Sequence, residues 1–455
     1  MPTPDPGSFR DPASHVVLEA DKVIRLLDER GLEGWRALSG TDFFRTAVAE
    51  GRLIDAVETA EPPPGSAAAI EHPRLPFISY PYERTFSMLK DAAILQLDLL
   101  EGALSAGLTI KDATPYNIQF VDGRPIFIDI GSFEAYREGE PWIGYRQFTR
   151  QFLFPLLLRA WVGIPFQPWL RGDLEGLTSR QMARLLPLRK RFKPSALLHV
   201  RLQARMEERM AGRAVRQELG AAGFNADLIL TNVRKLRSLI QSLEWEHGVD
   251  GWSTYVECSH VTRDRTAKGE FLTEAMQRLS PTRVVDLGAN DGHFSHLAAE
   301  AGALAVAVDS DEAVLDDLYR RSIGSGVAVA VTELANPSPS QGWAGVERAS
   351  FVDRARPDLV IAYGLIHHLI YAASIPPREV VRWLAEFRCP VILEFVSPAD
   401  DMVAKLVGNK LPQELHGDRE ESEFRDLLEP WFEISAEQTL TSGTRVLFAL
   451  DPRPS

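Results

Sequence analysis

From residue 283 onward the chain alternates short apolar runs with amphipathic stretches, and that alternation restricts what it can fold into. RVVDLG (283–288), LAVAVD (304–309), VAVAVTEL (327–334), PDLVIAYG (357–364) and PVILEFV (390–396) are continuously apolar rather than alternating in polarity. A strand with no polar face must be covered on both sides, which is the situation of a parallel sheet between two layers of helices. Helices are expected over residues 293–301 and 312–321, and another starts at Pro376 and Pro377. WFEISAEQTL and TRVLFAL close the chain, joined by Thr441, Ser442 and Gly443. Three residues are too few for a parallel crossover, so these two strands form an antiparallel hairpin. The expectation is a doubly wound α/β sheet of seven strands over residues 236–455.

The first of these strands runs into VVDLGANDGHF (284–294). Gly288 and Gly292 let the backbone turn sharply and approach a ligand, and the helix behind them offers N–H groups to an anionic group. The glycines are four apart and Asp286 precedes the first by two, so the dinucleotide fingerprint does not fit. An acid at that place suits a ligand carrying an ammonium group. Asp309 ends the second strand, where a carboxylate can accept hydrogen bonds from both hydroxyls of a ribose. Asp311 reads as the N-cap of the next helix.

Asp286, Gly288, Asn290 and Gly292 together resemble the first motif of the class I S-adenosylmethionine-dependent methyltransferases, with Asn in place of the middle glycine. The seven-stranded Rossmann-like order with a terminal antiparallel hairpin is also that family's. The resemblance implies that S-adenosyl-L-methionine is the cofactor. It further implies that Gly288 and Gly292 line the methionine moiety, that Asp309 holds the ribose, and that Glu333 with Leu334 lies by the adenine. Asn336 is the alternative to Glu333. Tyr363 joins the expected cofactor wall.

Methyl transfer is an in-line displacement, so the protein has to align the acceptor and, for a hydroxyl, remove its proton. AYGLIHHLIY places Tyr363, Gly364, His367 and His368 at the rim of the fourth strand. An imidazole titrates near neutrality and suits a general base, and His367 or His368 is expected in that role, or else packs as a helix residue. Glu394 is either a polar pocket wall or a structural acid. Trp252 to Tyr255 and Lys268 are candidates to cover the cofactor.

The first half carries a second set of signals. Val16 to Glu29 has helical spacing, residues 61–69 form a loop, and 75–107 read as a strand, a proline turn and one or two amphipathic helices. Apolar strands flank Asp122-Gly123, a hairpin signature. Asp112 and Asn117 have D-x-x-x-x-N spacing and Asp129-Ile130-Gly131 follows, a pattern that can hold a metal ion against phosphates. These residues resemble the catalytic loop and D-x-G motif of the protein-kinase-like fold over about residues 75–165. The resemblance makes Asp112 the base, Asn117 and Asp129 the metal ligands, and Mg-ATP the cofactor of an α+β domain within residues 1–235. Ile110 and Lys111 replace His-Arg, no glycine-rich loop precedes residue 70, and no lysine lies between Lys22 and Lys90. A degenerate module used for binding or positioning is therefore preferred to active phosphotransfer. The pairing of two such halves loosely resembles the nodulation-related bacterial methyltransferases.

Composition narrows the partners. The 455 residues carry 50 Lys+Arg against 63 Asp+Glu, a formal charge of -13 that repels phosphate backbones overall. Nucleic acid is thus disfavoured, although LRKRFKP and Arg201, Arg205, Arg209, Arg213 and Arg216 form a basic stretch that suits an RNA-binding arm. Two cysteines, Cys258 and Cys389, fit a reducing cytoplasm and exclude a thiolate zinc site. The start lacks signal-peptide character, and residues 152–170 are interrupted by Arg159 and three prolines, which argues against a membrane span. The reading is a cytoplasmic methyltransferase acting on a small molecule or a glycan or lipid precursor at oxygen or nitrogen.

Overall fold

The computed structural model describes residues 3–202, 225–246, 259–417 and 419–454. The chain divides into two units, one of Met1–Glu246 with Gln341–Arg348, the other of His247–Ser340 with Ala349–Ser455. Among the described residues no helix is long and apolar enough to cross a membrane.

In the first unit, β1 (Thr3–Pro4), β2 (Ser14–Leu18), β3 (Lys22–Leu27), β4 (Val57–Glu58) and β5 (Ala68–Pro73) form an antiparallel sheet in the order β1-β2-β3-β5-β4. The helix expected over Val16 to Glu29 is instead the β2–β3 hairpin, with Ser14 opposite Leu27 and Leu18 opposite Val23. The β-branched Val16, Val17, Val23 and Ile24 favour the pleated conformation, and β5 on the far side of β3 pairs its remaining edge. Helical structure begins only at α1 (Glu29–Ser39), where the Asp28 side chain accepts from the Gly31 N–H, followed by α2 (Asp42–Ala49).

The long helix α3 (Phe86–Ser105) is capped by Thr85, which accepts from the Met88 N–H, and is buried along most of its length. Residues 86–105 thus form one continuous helix, and the strand expected ahead of the proline turn does not form. Behind it β6 (Leu108–Ile110) pairs with β9 (Phe133–Ala135), and β7 (Ile118–Val121) with β8 (Arg124–Phe127). Asp122 and Gly123 both have positive φ, 48° and 71°, the requirement of the tight hairpin turn read from their sequence. Residues 149–162 fold as π- and α-helical turns packed in the core of this unit. The Gln341–Arg348 segment is held by Arg10, which donates two 2.7 Å bonds to the buried Glu347. That pairing brings the Glu347 carboxyl down to about 2.

The second unit contains one seven-stranded sheet: β10 (Arg283–Leu287), β11 (Leu304–Asp309), β12 (Val327–Val331), β13 (Leu359–Ala362), β14 (Val391–Val396), β15 (Phe432–Thr439) and β16 (Arg445–Pro452). Its order is β12-β11-β10-β13-β14-β16-β15. The first five strands are mutually parallel, and β16 runs antiparallel to both β14 and β15. This is a mixed sheet of five parallel strands closed by an antiparallel hairpin. Strand order reverses between β10 and β13, and ligands of open α/β sheets bind beyond the strand ends at such a switch.

Candidate functional site

The carboxyl end of β10 continues into a loop whose shape is set by three consecutive demands on the backbone. Gly288, Asn290 and Gly292 all have positive φ, at 79°, 48° and 73°. Asn is among the side chains that tolerate this region, so its replacement of the middle glycine preserves the turn. At Gly292 a Cβ would also lie 2.6 Å from both Leu318 methyl carbons, so that position has room only for hydrogen. A Cβ at Gly288 would sit 3.6 Å from Leu365 Cβ, which places the loop beside the segment following β13.

Asp286 is 1 % exposed and accepts from Ser295 Oγ at 2.7 Å. Its carboxylate binds the first turn of the helix His293–Glu300, and the Asp291 carboxylate accepts the His293 N–H at 3.2 Å. Two N–H groups expected to face an anionic ligand are therefore served by the chain's own acids. Burial drives the Asp286 carboxyl up to about 7, despite the Ser295 bonds that favour its charged form.

Asp309 receives the Asn290 N–H at 2.9 Å on one oxygen and the Asp311 N–H at 3.0 Å on the other. It ties the glycine loop to the end of β11 and retains acceptor lone pairs on both oxygens. Burial raises its carboxyl, with those backbone bonds opposing. Asp311 caps the helix Glu312–Arg321, accepting from Ala313 and Val314. Neither Asp286 nor Asp309 takes part in an ion pair among the described residues. Two strand-end carboxyls without a counter-cation suit a positively charged ligand.

β12 ends at Val331, and the Thr332 N–H donates to the Asp309 carbonyl at 2.7 Å, so Glu333 and Leu334 follow directly beside this strand end. Leu334 is buried, while Glu333 is exposed and accepts the Ala335 N–H. Tyr363 is buried against Phe294, ring centroids 4.8 Å apart at 71°, and donates its hydroxyl to the Lys268 carbonyl. Trp252 to Tyr255 lie outside the described residues, as do Cys258 and Arg205 to Arg216.

The carboxyl ends of β13 and β14 are joined by a charge network of which the sequence showed only fragments. Glu394, fully buried on β14, receives Lys268 Nζ at 2.8 Å, the Gly364 N–H at 2.6 Å and Arg445 Nη1 at 3.1 Å. Arg445 also makes two bonds to Asp400, at 2.8 and 3.0 Å. Burial opposes the charge on Glu394, and Lys268 and Arg445 outweigh it, holding the carboxyl low. Arg445 and Asp400 carried no local signal, because a hairpin residue and a loop acid meet only once β16 inserts beside β14.

His367 is 1 % exposed, and neither ring nitrogen has a hydrogen-bond partner among the described residues. Burial and the neighbouring His368, whose ring is 4.2 Å away, push its pKa down to about 3. An imidazole so depressed is a neutral hydrogen-bonding group and a poor proton store near neutrality. His368 is half-buried and also lowered, by burial first and then by Arg445.

In the first unit, Asp112, Asn117 and Asp129 come together. Asp129 is met by Arg25 Nη2 at 2.9 Å, by the Ser132 hydroxyl and by Asn117 Nδ2 at 3.3 Å. Arg25 lies on the third strand, where the kinase resemblance calls for a lysine. Burial raises the Asp112 carboxyl, as does Asp129, against bonds from Gln147 and Asn117. The expected metal ligands thus contact one another and Arg25. The third-strand run Lys22-Val-Ile-Arg25 was the signal available.

Comparison with known proteins finds a full-length relative. The chain is 34% identical over 459 residues to nodulation protein NoeA of Rhizobium meliloti (strain 1021), covering 98% of this chain and 95% of that protein. No protein-family model matches. Similar solved structures include the N-methyltransferase NodS of Bradyrhizobium japonicum WM9 with S-adenosyl-l-homocysteine, at 12% identity and TM-score 0.33, covering 46% of this chain and 94% of that one. Another is the magnesium protoporphyrin IX methyltransferase of Synechocystis PCC 6803 with bound SAH, at 18% identity and TM-score 0.31, covering 49% and 94%.

Proposed function

The chain belongs to the family of nodulation protein NoeA, and we propose that it is an S-adenosylmethionine-dependent methyltransferase acting on a small molecule or a glycan or lipid precursor, at oxygen or nitrogen. The observation that carries the reading is the pair of strand-end carboxyls, Asp286 and Asp309, beside a loop of three positive-φ residues and without a counter-cation among the described residues. That donor set fits a ligand with sulfonium and ammonium charges, a ribose and an adenine.

When bound beside Asp309, Gly288 and Gly292, S-adenosylmethionine would supply an electrophilic methyl group. Asp309 offers lone pairs to the ribose hydroxyls, and Leu334 gives an apolar face to the base. Gly288 and Gly292 keep the backbone close to the methionine portion. Tyr363, pinned by Phe294 and the Lys268 carbonyl, walls the site. His367 hydrogen-bonds the acceptor as a neutral ring, accepting from its O–H or N–H, and the proton released leaves to solvent.

Isothermal calorimetry with S-adenosylmethionine tests the reading. Binding that weakens more than about tenfold in Asp309→Ala supports it, and equal binding by that variant refutes the site.

The part of the first unit within residues 1–235 is read as a kinase-like module for binding or positioning. Support comes from Arg25, whose guanidinium takes the Asp129 oxygen that a magnesium ion needs.

A further inference from the structure

The stretch Gly176–Val200 departs sharply from the rest of this acidic chain. It contains Arg180, Arg184, Arg189, Lys190, Arg191 and Lys193 and no Asp or Glu, in a protein of net charge -13. With a Debye length of about 8 Å at physiological salt, an approaching surface feels this patch rather than the distant net charge.

The patch is built on a defined turn. Lys190 and Arg191 both donate their N–H groups to the Pro187 carbonyl, and the Arg191 guanidinium is tied to the carbonyls of Leu186 and Arg184. Lys190 and Lys193 lie over the Trp161 ring, at 5.6 and 5.1 Å from its centroid. This turn holds Leu188 and Phe192, four residues apart, out in solvent at 70 % exposure each, with Leu198 at 45 %. A single exposed leucine is ordinary. Two large apolar side chains among Arg189, Lys190, Arg191 and Lys193, on a turn fixed by its own hydrogen bonds and flanked by Arg180, Arg184 and Leu198, are not a merely solvated face.

We propose that this surface docks the protein on anionic lipid bilayers, with Leu188 and Phe192 entering the headgroup–acyl boundary and the surrounding Arg and Lys meeting lipid phosphates. The combination of inserted apolar groups with a polybasic rim is what interfacial binding requires. An RNA strand would use the cations and one aromatic ring, but gives no role to two exposed leucines.

Co-sedimentation of the full chain with vesicles of phosphatidylcholine, with and without a third of phosphatidylglycerol, tests the proposal. Capture by the anionic vesicles only, falling with salt, is expected. Arg189→Gln with Lys193→Gln should weaken partition more than about tenfold, each charge near the surface being worth about fivefold. Leu188→Ser with Phe192→Ser should weaken it comparably while leaving the thermal melt in place, since both side chains are exposed. Equal capture by neutral vesicles, no capture at all, or capture unaffected by both double variants overturns it. So does binding of homopolymeric RNA by a chain that leaves anionic vesicles in solution.

Discussion

Arg25 Nη2 lies 2.9 Å from Asp129 Oδ1, so the third strand of the first unit places a permanent cation on the carboxylate that the sequence pattern reserves for a metal ion. Arg25 also donates to Ser14 Oγ at 2.9 Å, which anchors the guanidinium from the neighbouring strand. Both partners are mostly buried, with 13% and 20% side-chain exposure.

Breaking that pair leaves one uncompensated charge. Arg25→Met should lower unfolding free energy by about 2–3 kcal/mol, read from urea denaturation. The same variant should gain a thermal shift with magnesium chloride that the natural sequence lacks. A shift of equal size in the natural sequence would show that Arg25 does not compete with the ion.

Asp286 gives the protein a characteristic pH dependence. Burial lifts its carboxyl from the ordinary 3.8 to about 7, so between those values the native state keeps a proton that the unfolded chain has released. The stability contribution of this group therefore falls as pH rises from about 4 to about 7 and levels off above. Urea midpoints of the natural sequence and Asp286→Asn should nearly coincide at about pH 4 to 5, with the natural sequence falling behind the variant toward pH 8. A bound cation favours the ionised carboxyl, so S-adenosylmethionine binding near pH 7 should release protons, visible by calorimetry in buffers of different ionisation enthalpy.

His367 is held near a pKa of about 3, and its titration lies far below the working range. The turnover profile from pH 6 to 8 should carry no inflection from this ring. His367→Ala should still lower kcat by about 10²-fold by removing the hydrogen bond to the acceptor, with affinity for S-adenosylmethionine unchanged. An inflection near pH 6.5 that vanishes in the variant would restore the general-base role.

Glu394 joins Lys268, the Gly364 backbone and Arg445 at the strand ends. Glu394→Gln keeps the shape and removes the charge that two buried cations need, so a loss of about 3 kcal/mol is expected in denaturant unfolding. Glu394→Ala should cost at least as much, because it adds a cavity. A loss under ~1 kcal/mol in both would mean that solvent already screens the cations.

Where local chemistry decides, the sequence was readable. The Asp122-Gly123 turn, the Asp311 cap and the positive-φ loop at Gly288 to Gly292 each follow from what a few adjacent residues allow the backbone to do. The parallel strands β10 to β14 were readable for a related reason, since a strand covered on both faces must be apolar at every position. Residues 16–27 misled because their apolar spacing fits a helix as well as a hairpin. Pairing with β5, some forty residues on, decides for the hairpin.

What the sequence determined by itself, then, is the α/β class of the second half and the place of its glycine loop, because periodicity and glycine conformations are local properties. Tertiary structure alone decided that Arg25 meets Asp129, that Arg445 bridges Glu394 and Asp400, and that His367 is buried to the point of neutrality. Those outcomes depend on which strand inserts beside which, and on how completely water is removed from a charge. Both are fixed only when distant segments pack.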